Sequence, residues 1–303
     1  MRRKYIIKLE GGLGNQMFQY AYAIALQKAF GGKIIIDTHA FTKKQIRAFA
    51  LGYYVQANGT KTRLSFFERI VSFIYILLCR FVRRFNWIKD QKSYQRIVRC
   101  GLYYQYQFSW YNAIIKPLLP INYVTGNWMS EKFFMNAVSE VRNAYIYQIP
   151  LPDKCKDIIE MIESSESVCI HIRLGDYLSP QWKDKLIVCT PRYYHQAMAV
   201  IREKVKSPRF FVFSNRPKDF EMIRNEYDLG DVIYVDMGNS DVEDMELMRN
   251  CKHFIMSNST YSWWAQYLSE HKGKVVVAPS RYNNYERWNM TDIYQDNWEI
   301  VNV

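Results

Sequence analysis

The chain has no Cys-x-x-Cys pair, although its six cysteines are spread over positions 79, 100, 155, 169, 189 and 251. That spacing argues against a zinc ribbon or a thioredoxin-type centre. Cys169 and Cys189 lie among apolar, strand-forming residues and read as buried, reduced thiols, which suits a reducing compartment. No Asp-x-Asp triplet occurs either. Hard divalent cations want clustered carboxylates, so this absence speaks against a nucleotide held through a bound metal, and the expectation is a site with no metal and no cofactor. There is no low-complexity tract and no repeat with a period of twenty to fifty residues. No apolar run approaches the ~20 residues that span a bilayer. The basic start, Met1-Arg-Arg-Lys, resembles the head of a signal peptide, but Lys8 and Glu10 interrupt the apolar stretch that such a leader needs. It reads as a first β-strand, and a cytoplasmic location is expected. On that expectation the Asn-x-Ser/Thr triplets at Asn58, Asn258 and Asn289 are chance matches.

What is present is a globular composition: 303 residues, 49% hydrophobic and 23% charged, enough for one large core or two smaller ones. The net charge of +12 is uneven, because residues 61–100 hold ten Lys or Arg against two acids. Inside that window residues 70–79, Ile-Val-Ser-Phe-Ile-Tyr-Ile-Leu-Leu-Cys, are flanked by Arg69 and by Arg80, Arg83 and Arg84. Two readings of this stretch stay open. One is a helix buried in the first domain. The other is an interfacial helix whose arginines meet anionic lipid, giving peripheral contact with the inner face of a membrane. No motif of a nucleic-acid reader accompanies the basic patch, so nucleic acid is not an expected partner.

Hydrophobic patterning predicts a parallel α/β organisation. A strand over 4–9, a helix over 16–30 and a strand over 33–37 form a βαβ unit. Residues 40–120 are aromatic and basic, with helical segments and no clear strand. A strand around 122–128 and a helix over 130–147 come next, and Pro150 and Pro152 mark a domain boundary. Beyond it, helices over 153–164, 191–206, 217–226, 241–251 and 260–270 alternate with strands over 167–173, 209–213, 231–235, 254–257 and 274–278. The expectation is an N-terminal domain over 1–150, carrying a helical insertion at about 40–120, and a C-terminal domain over 151–303. In a doubly wound sheet, ligands bind at the carboxyl ends of the strands.

Chemistry concentrates at three such ends. The turn Gly11-Gly-Leu-Gly-Asn15-Gln16 joins a strand to a helix N-terminus, where free N–H groups favour an anion. It is neither G-x-G-x-x-G nor a P-loop, and a structural turn and a ligand loop stay equally open. The segment His171-Ile-Arg173-Leu-Gly-Asp176-Tyr177 puts His171 and Arg173 on one face of a strand end. A guanidinium there could grip a diphosphate with two parallel hydrogen bonds, or simply pair with Asp176 at the surface. The segment Ser257-Asn-Ser259-Thr260-Tyr261-Ser-Trp-Trp again ends a strand and opens a helix. Its hydroxyls could cap the helix only, or bind a diphosphate as well. Asp244, in the preceding helix, could accept the N1 and N2 protons of a guanine or form a surface ion pair.

These segments, with Gly126-Asn-Trp-Met-Ser-Glu131-Lys-Phe-Phe, Phe211-Val-Phe-Ser-Asn215 and Asp244-Met-Glu-Leu-Met-x-x-Cys-Lys-His253, run in one order along the chain. Together they resemble glycosyltransferase family 11, the α-1,2-fucosyltransferases, in its bacterial branch. The resemblance implies a GT-B fold, two Rossmann-like domains facing across a cleft, and inverting transfer of L-fucose from GDP-β-L-fucose to a sugar hydroxyl such as a galactoside O2, without a metal. It implies that Arg173 holds the β-phosphate with His171 beside it. Ser259, Thr260 and Tyr261 would bind the diphosphate and Asp244 the guanine. Asn15 and Gln16 would face fucose and diphosphate, and Asn215 would lie near the donor. Inversion needs a base for the acceptor hydroxyl, and Asp176 and Glu131 are the candidates. The acceptor would be an oligosaccharide of O-antigen or capsule synthesis, lipid-linked at the inner membrane face. Two positions depart from the family pattern: Leu174 stands where a second arginine is common, and Asn215 where an aspartate is common. Competing readings are a transferase of the same fold using another nucleotide sugar, and a non-catalytic carbohydrate- or membrane-surface module.

Overall fold

The computed structural model describes residues 3–41, 49–54, 60–61, 63–105, 112–284 and 290–303. The chain divides into two compact units, Met1–Ile146 with Asn289–Ile293, and Tyr147–Trp288 with Tyr294–Val303. The sequence boundary at Pro150 thus falls a few residues late, and the short return of 289–293 to the first unit has no signal in composition.

The first unit is a five-stranded sheet in the order β3-β2-β1-β5-β4, every pairing parallel. Its elements are β1 (Lys4–Lys8), α1 (Leu13–Phe30), β2 (Lys33–Asp37), β3 (Thr60–Lys61), α2 (Phe66–Arg84), α3 (Gln91–Arg99), β4 (Leu102–Tyr104), β5 (Ile121–Thr125) and α4 (Val138–Ala144). The glycine turn leads into helix α1 and its last residues, from Leu13, are already helical; Gly12 is the N-cap, and Gly11 supplies the left-handed φ of +83° that the turn requires. α1 is apolar on every side and almost wholly buried from Leu13 to Leu26, as a central helix must be. Two expectations fail here. The 40–120 region contributes strands β3 and β4, and the helix expected over 130–147 is two 3-10 turns followed by the short α4. Phe134 and Ala137 sit at ψ of 18° and 27° with φ near −135°, which breaks the helix while their side chains are buried.

The second unit holds α5 (Lys156–Glu163), β6 (Glu166–Ile172), α6 (Pro191–Lys204), β7 (Pro208–Ser214), α7 (Pro217–Glu226), β8 (Ile233–Tyr234), α8 (Asp241–Asn250), β9 (His253–Ile255), α9 (Thr260–Leu268), β10 (Val276–Pro279) and β11 (Glu299–Val301). Its sheet runs β11-β10-β9-β6-β7-β8, all parallel, with one strand, β11, more than expected. β6 opens the sheet, β7 and β8 extend it one way, and β9 to β11 the other. The strand order therefore reverses between β6 and β9, the place where open α/β sheets hold ligands.

All six cysteines are free thiols, with Cys155, Cys169, Cys189 and Cys251 buried. Of the three glycosylation-type triplets, Asn58 and Asn289 lie outside the described residues. Asn258 is buried, and its amide donates to the carbonyls of Ile187 and Tyr282 at 2.7 and 2.8 Å. Among the described residues no helix is long and apolar enough to cross a membrane. The reading of 70–79 as a buried helix is overturned: α2 turns most of its large apolar side chains outward.

Candidate active site

The switch point of the second sheet is built around His171. It ends β6 fully buried, and its Nδ1 meets Ser257 Oγ at 3.0 Å and Ser262 Oγ at 2.6 Å. Those serines leave β9 and enter α9, so one imidazole joins two strand ends 86 residues apart in sequence. Tyr194 donates to the His171 carbonyl at 3.0 Å and Tyr177 to the Asn258 carbonyl at 2.9 Å, which fixes both loops. Burial, then the neighbouring Arg173 charge, pushes the His171 pKa down to about 3. His171 is therefore neutral at any working pH and does not serve as an acid. We assign Nδ1 as the acceptor of a serine hydroxyl, which puts the proton on Nε2, and Nε2 is buried without a protein partner.

Arg173 follows two residues later, nearly buried. Its NH2 donates to Asp176 Oδ1 at 2.7 Å, and its guanidinium stacks 5.4 Å from the Tyr177 ring centre. The intervening Gly175 takes φ +46°, which makes so short a return possible. Arg173 Nε is a second buried atom without a protein partner, and Asn215 Oδ1, at the end of β7, is a third. Leu174 does not face this group. It is buried in the core with Ile172 and Val212.

These groups adjoin an open pocket lined by His171, Asn215, Arg216, Asp244 and Tyr261 among others, all in the second unit. Arg173, Asp176, Ser259 and Thr260 stand beside the cavity rather than in its lining. Asp244 is placed by a capping box in which Ser240 Oγ accepts from Glu243 N at 3.3 Å while the Glu243 carboxylate accepts from Ser240 N at 2.8 Å. Asn239 donates to Asp244 Oδ1 at 2.9 Å. Burial outweighs that bond and pushes the Asp244 pKa up to about 7, with Asp241 and Glu243 adding to the rise. Tyr261 closes the wall between α8 and α9, its hydroxyl donating to the Asp241 carbonyl. Ser259 caps α9, accepting from Tyr261 N at 3.2 Å.

Arg216 is a cation that the sequence reading missed. It sits at the cavity, gripped by Asp219 through Nε at 3.1 Å and NH2 at 2.5 Å. A side-chain carbon on Gly175 would lie 3.6 Å from its Nε, so Arg216 abuts the Arg173–Asp176 turn. The only signal was its place one residue beyond the Phe211–Asn215 segment.

The remaining candidates belong to the first unit. Gln16 is fully buried. Its Oε1 accepts from Ala50 N at 3.1 Å and Leu51 N at 3.2 Å, and its Nε2 donates to Gly11 O at 2.9 Å. These bonds hold the 50–51 segment against the glycine turn. Asn15 is half-buried under the Gly11 turn, where any Cβ on Gly11 would strike its Nδ2 at 2.7 Å. Glu131 opens a 3-10 turn capped by Ser130, whose hydroxyl donates to the Asp292 carbonyl at 2.6 Å.

One cluster elsewhere has ligand-like spacing: Glu166, His253 and His271. His253 Nδ1 accepts the Val275 N–H at 3.0 Å, so a neutral ring keeps its proton on Nε2 toward Glu166. That proton stands where a metal would bind.

The chain has relatives among known proteins. The sequence profile of Glycosyl transferase family 11 matches residues 107–302. An α-1,2-colitosyltransferase from Escherichia coli is 24% identical over 97% of this chain and 97% of its own length. The O-antigen biosynthesis glycosyltransferase WbnK from Escherichia coli is 28% identical over 96% of this chain and 98% of its own. Among solved structures, NodZ α-1,6-fucosyltransferase soaked with GDP-fucose superposes with a TM-score of 0.50 at 13% identity, over 88% of this chain and 93% of that one. That likeness shows the fold, which is of the GT-B class with two Rossmann-like units. The profile covers most of the chain, whose second sheet carries a pocket lined by Arg216 and the buried His171 at its switch point, and the chain belongs to glycosyltransferase family 11.

Proposed function

We propose that the protein transfers L-fucose, with inversion, from GDP-β-L-fucose to the O2 of a galactoside, forming an α-1,2 linkage in a surface oligosaccharide such as an O-antigen or capsule repeat, the acceptor being lipid-linked. The observation that carries the reading is one pocket lined by His171, Asn215, Arg216 and Asp244, in which His171 Nε2 and Asn215 Oδ1 are buried without a protein partner; Arg173, two residues after His171, has its Nε in the same state. Guanidinium and imidazole donors suit a diphosphate. The Asp244 carboxylate suits the N1–H and N2–H edge of guanine.

In this reading the bond from fucose C1 to the β-phosphate oxygen breaks as the acceptor hydroxyl attacks the opposite face, and GDP leaves with the extra negative charge. Arg173, the His171 Nε2–H and the first turn of α9 neutralise that charge without a metal, and Arg216 adds a second guanidinium. Asp176 spends a carboxylate oxygen on Arg173, which suits a group that aims the arginine. Asp176 and Glu131 both stay candidates to receive the acceptor's proton.

The α-1,2 linkage and surface-polysaccharide context draw on the names of the two bacterial relatives, and fucose on the motif pattern. The colitosyltransferase relative favours a second reading, in which the same GDP-binding cavity takes a different sugar. Assaying purified protein with EDTA present, against GDP-fucose, the GDP-linked form of colitose and UDP-galactose, distinguishes them. Turnover of GDP-fucose with linkage analysis giving an α-1,2 product supports the first reading. Turnover only with UDP-galactose, or only with added metal, overturns both.

A further inference from the structure

Helix α2 is amphipathic in the reverse sense. The stripe it buries is largely polar, Glu68, Ser72 and Tyr75, with Val82 at its end. That stripe is held by directed bonds: Lys4 to Glu68 at 2.8 Å, Ser72 to the Glu68 carbonyl at 2.8 Å, and Tyr75 to the carbonyls of Cys100 and Ile121 at 3.1 and 3.2 Å. The opposite stripe, at i, i+3 and i+4 spacing, is Phe66, Ile70, Phe73, Ile74, Leu77 and Phe81, all exposed, with Phe73 at 60%. Beyond the helix, Phe85 and Trp87 pack on Phe81 with ring centres 4.4 and 4.7 Å away and are themselves half open to solvent. A contiguous apolar face of this size on a globular domain marks an interaction surface.

Charge decides what covers it. Arg69, Arg80, Arg83 and Arg84 rim the apolar stripe, and all four are exposed. Lys89, Lys92, Arg96 and Arg99, also exposed, continue the basic surface along α3. Two copies packed through this face would set arginine rows against each other. An anionic bilayer instead offers hydrocarbon to the phenylalanines and phosphate to the guanidiniums. We propose that α2 is a docking helix that lies in the headgroup region of an anionic membrane, with Phe66, Phe73, Leu77 and Phe81 inserted.

The test is co-sedimentation of the full chain with extruded vesicles, either phosphatidylglycerol mixed equally with phosphatidylcholine or phosphatidylcholine alone, without nucleotide sugar. The protein should pellet with the anionic vesicles, weakly with the neutral ones, and less as salt rises. The triple variant Ile70→Ser/Phe73→Ser/Leu77→Ser should lose more than tenfold in partitioning. Arg80→Gln/Arg84→Gln should lose roughly thirtyfold, from about fivefold per arginine. All five positions are exposed, so the variants should melt like the parent. Failure to pellet with anionic vesicles, or equal pelleting of the triple variant, overturns the proposal. So does a concentration-dependent dimer in light scattering that the triple variant abolishes, which would make the face an interface between copies. Because no donor is present, these outcomes are independent of whether the cavity takes GDP-fucose.

Discussion

Replacing Asp244 by asparagine should move stability and nucleotide affinity in opposite directions. The native carboxyl titrates near 7 because it is buried, whereas in the unfolded chain it would titrate at about 3.9. Between those values the native state binds more protons than the unfolded state, so this group's contribution to stability falls as pH rises and is lowest above 7. The full shift corresponds to about 4 kcal/mol, and solvent reaching Asp244 through the cavity reduces the cost to about 1–3 kcal/mol at pH 8. An asparagine in its place would carry no such cost and would still accept from Asn239. Asp244→Asn should therefore raise the melting temperature of the ligand-free protein by a few degrees at pH 8 and by about a third as much at pH 5. GDP binding should fail in the same variant. One acceptor oxygen is replaced by an NH2 that faces the guanine donors, a loss of ~2–4 kcal/mol, or roughly thirty- to a thousandfold in Kd. In the parent, the carboxylate fraction drops from about nine-tenths at pH 8 to one-tenth at pH 6, so GDP should weaken about tenfold over that range beyond any change seen in the variant. Scanning fluorimetry at both pH values and titration calorimetry with GDP measure each term. A variant that is less stable at pH 8, or that binds GDP like the parent, would refute the assignment of Asp244.

Removing the leaving-group cations should cost rate more than stability. Arg173→Ala should lower kcat about 10²–10³-fold and Arg216→Ala by less, since Asp219 already shares its charge; initial rates under saturating donor separate the two. For the base, Glu131→Gln should lower kcat with little change in donor KM, whereas Asp176→Asn should raise donor KM by releasing Arg173. The reverse pattern would exchange their roles. Gln16→Ala should leave GDP affinity unchanged and destabilise the protein by ~2–3 kcal/mol, because the N–H groups of Ala50 and Leu51 lose their acceptor, as read from denaturant midpoints.

Much of the second unit was legible because each strand there is a short apolar run closed by a helix with a strong cap: Ser240 before α8, Ser259 before α9, Pro191 and Pro217 at the starts of α6 and α7. β3 and β4 escaped because strands of two and three residues carry too few positions for a period to show. α2 was legible as a helix, but not which side faces inward. Patterning assumes that apolar residues seek the interior, and here Glu68 and Tyr75 do so through specific bonds to Lys4 and to strand-end carbonyls. In the site, residues of one motif were found together, whereas pairings across motifs depended on strand order. His171 with Ser257 and Ser262 is a consequence of β6 lying beside β9. Arg216 beside Gly175 follows from β6 lying beside β7. The bonds from Gln16 to Ala50 and Leu51 were not legible, because the motif marks a loop without saying which partners its amides take.

Leu174 has a consequence for how this lineage can change. Its side chain is enclosed with Ile172, Val212 and Tyr194, so an arginine at this position, which the family resemblance led one to expect, would not simply add a charge to the site. It would force a guanidinium into close-packed hydrocarbon, at a cost of several kcal/mol that one further substitution would not recover. A second guanidinium is reached here only if the neighbours repack first, and a stronger cationic site is more readily built on the loop after β7, where Arg216 already stands partly open to solvent.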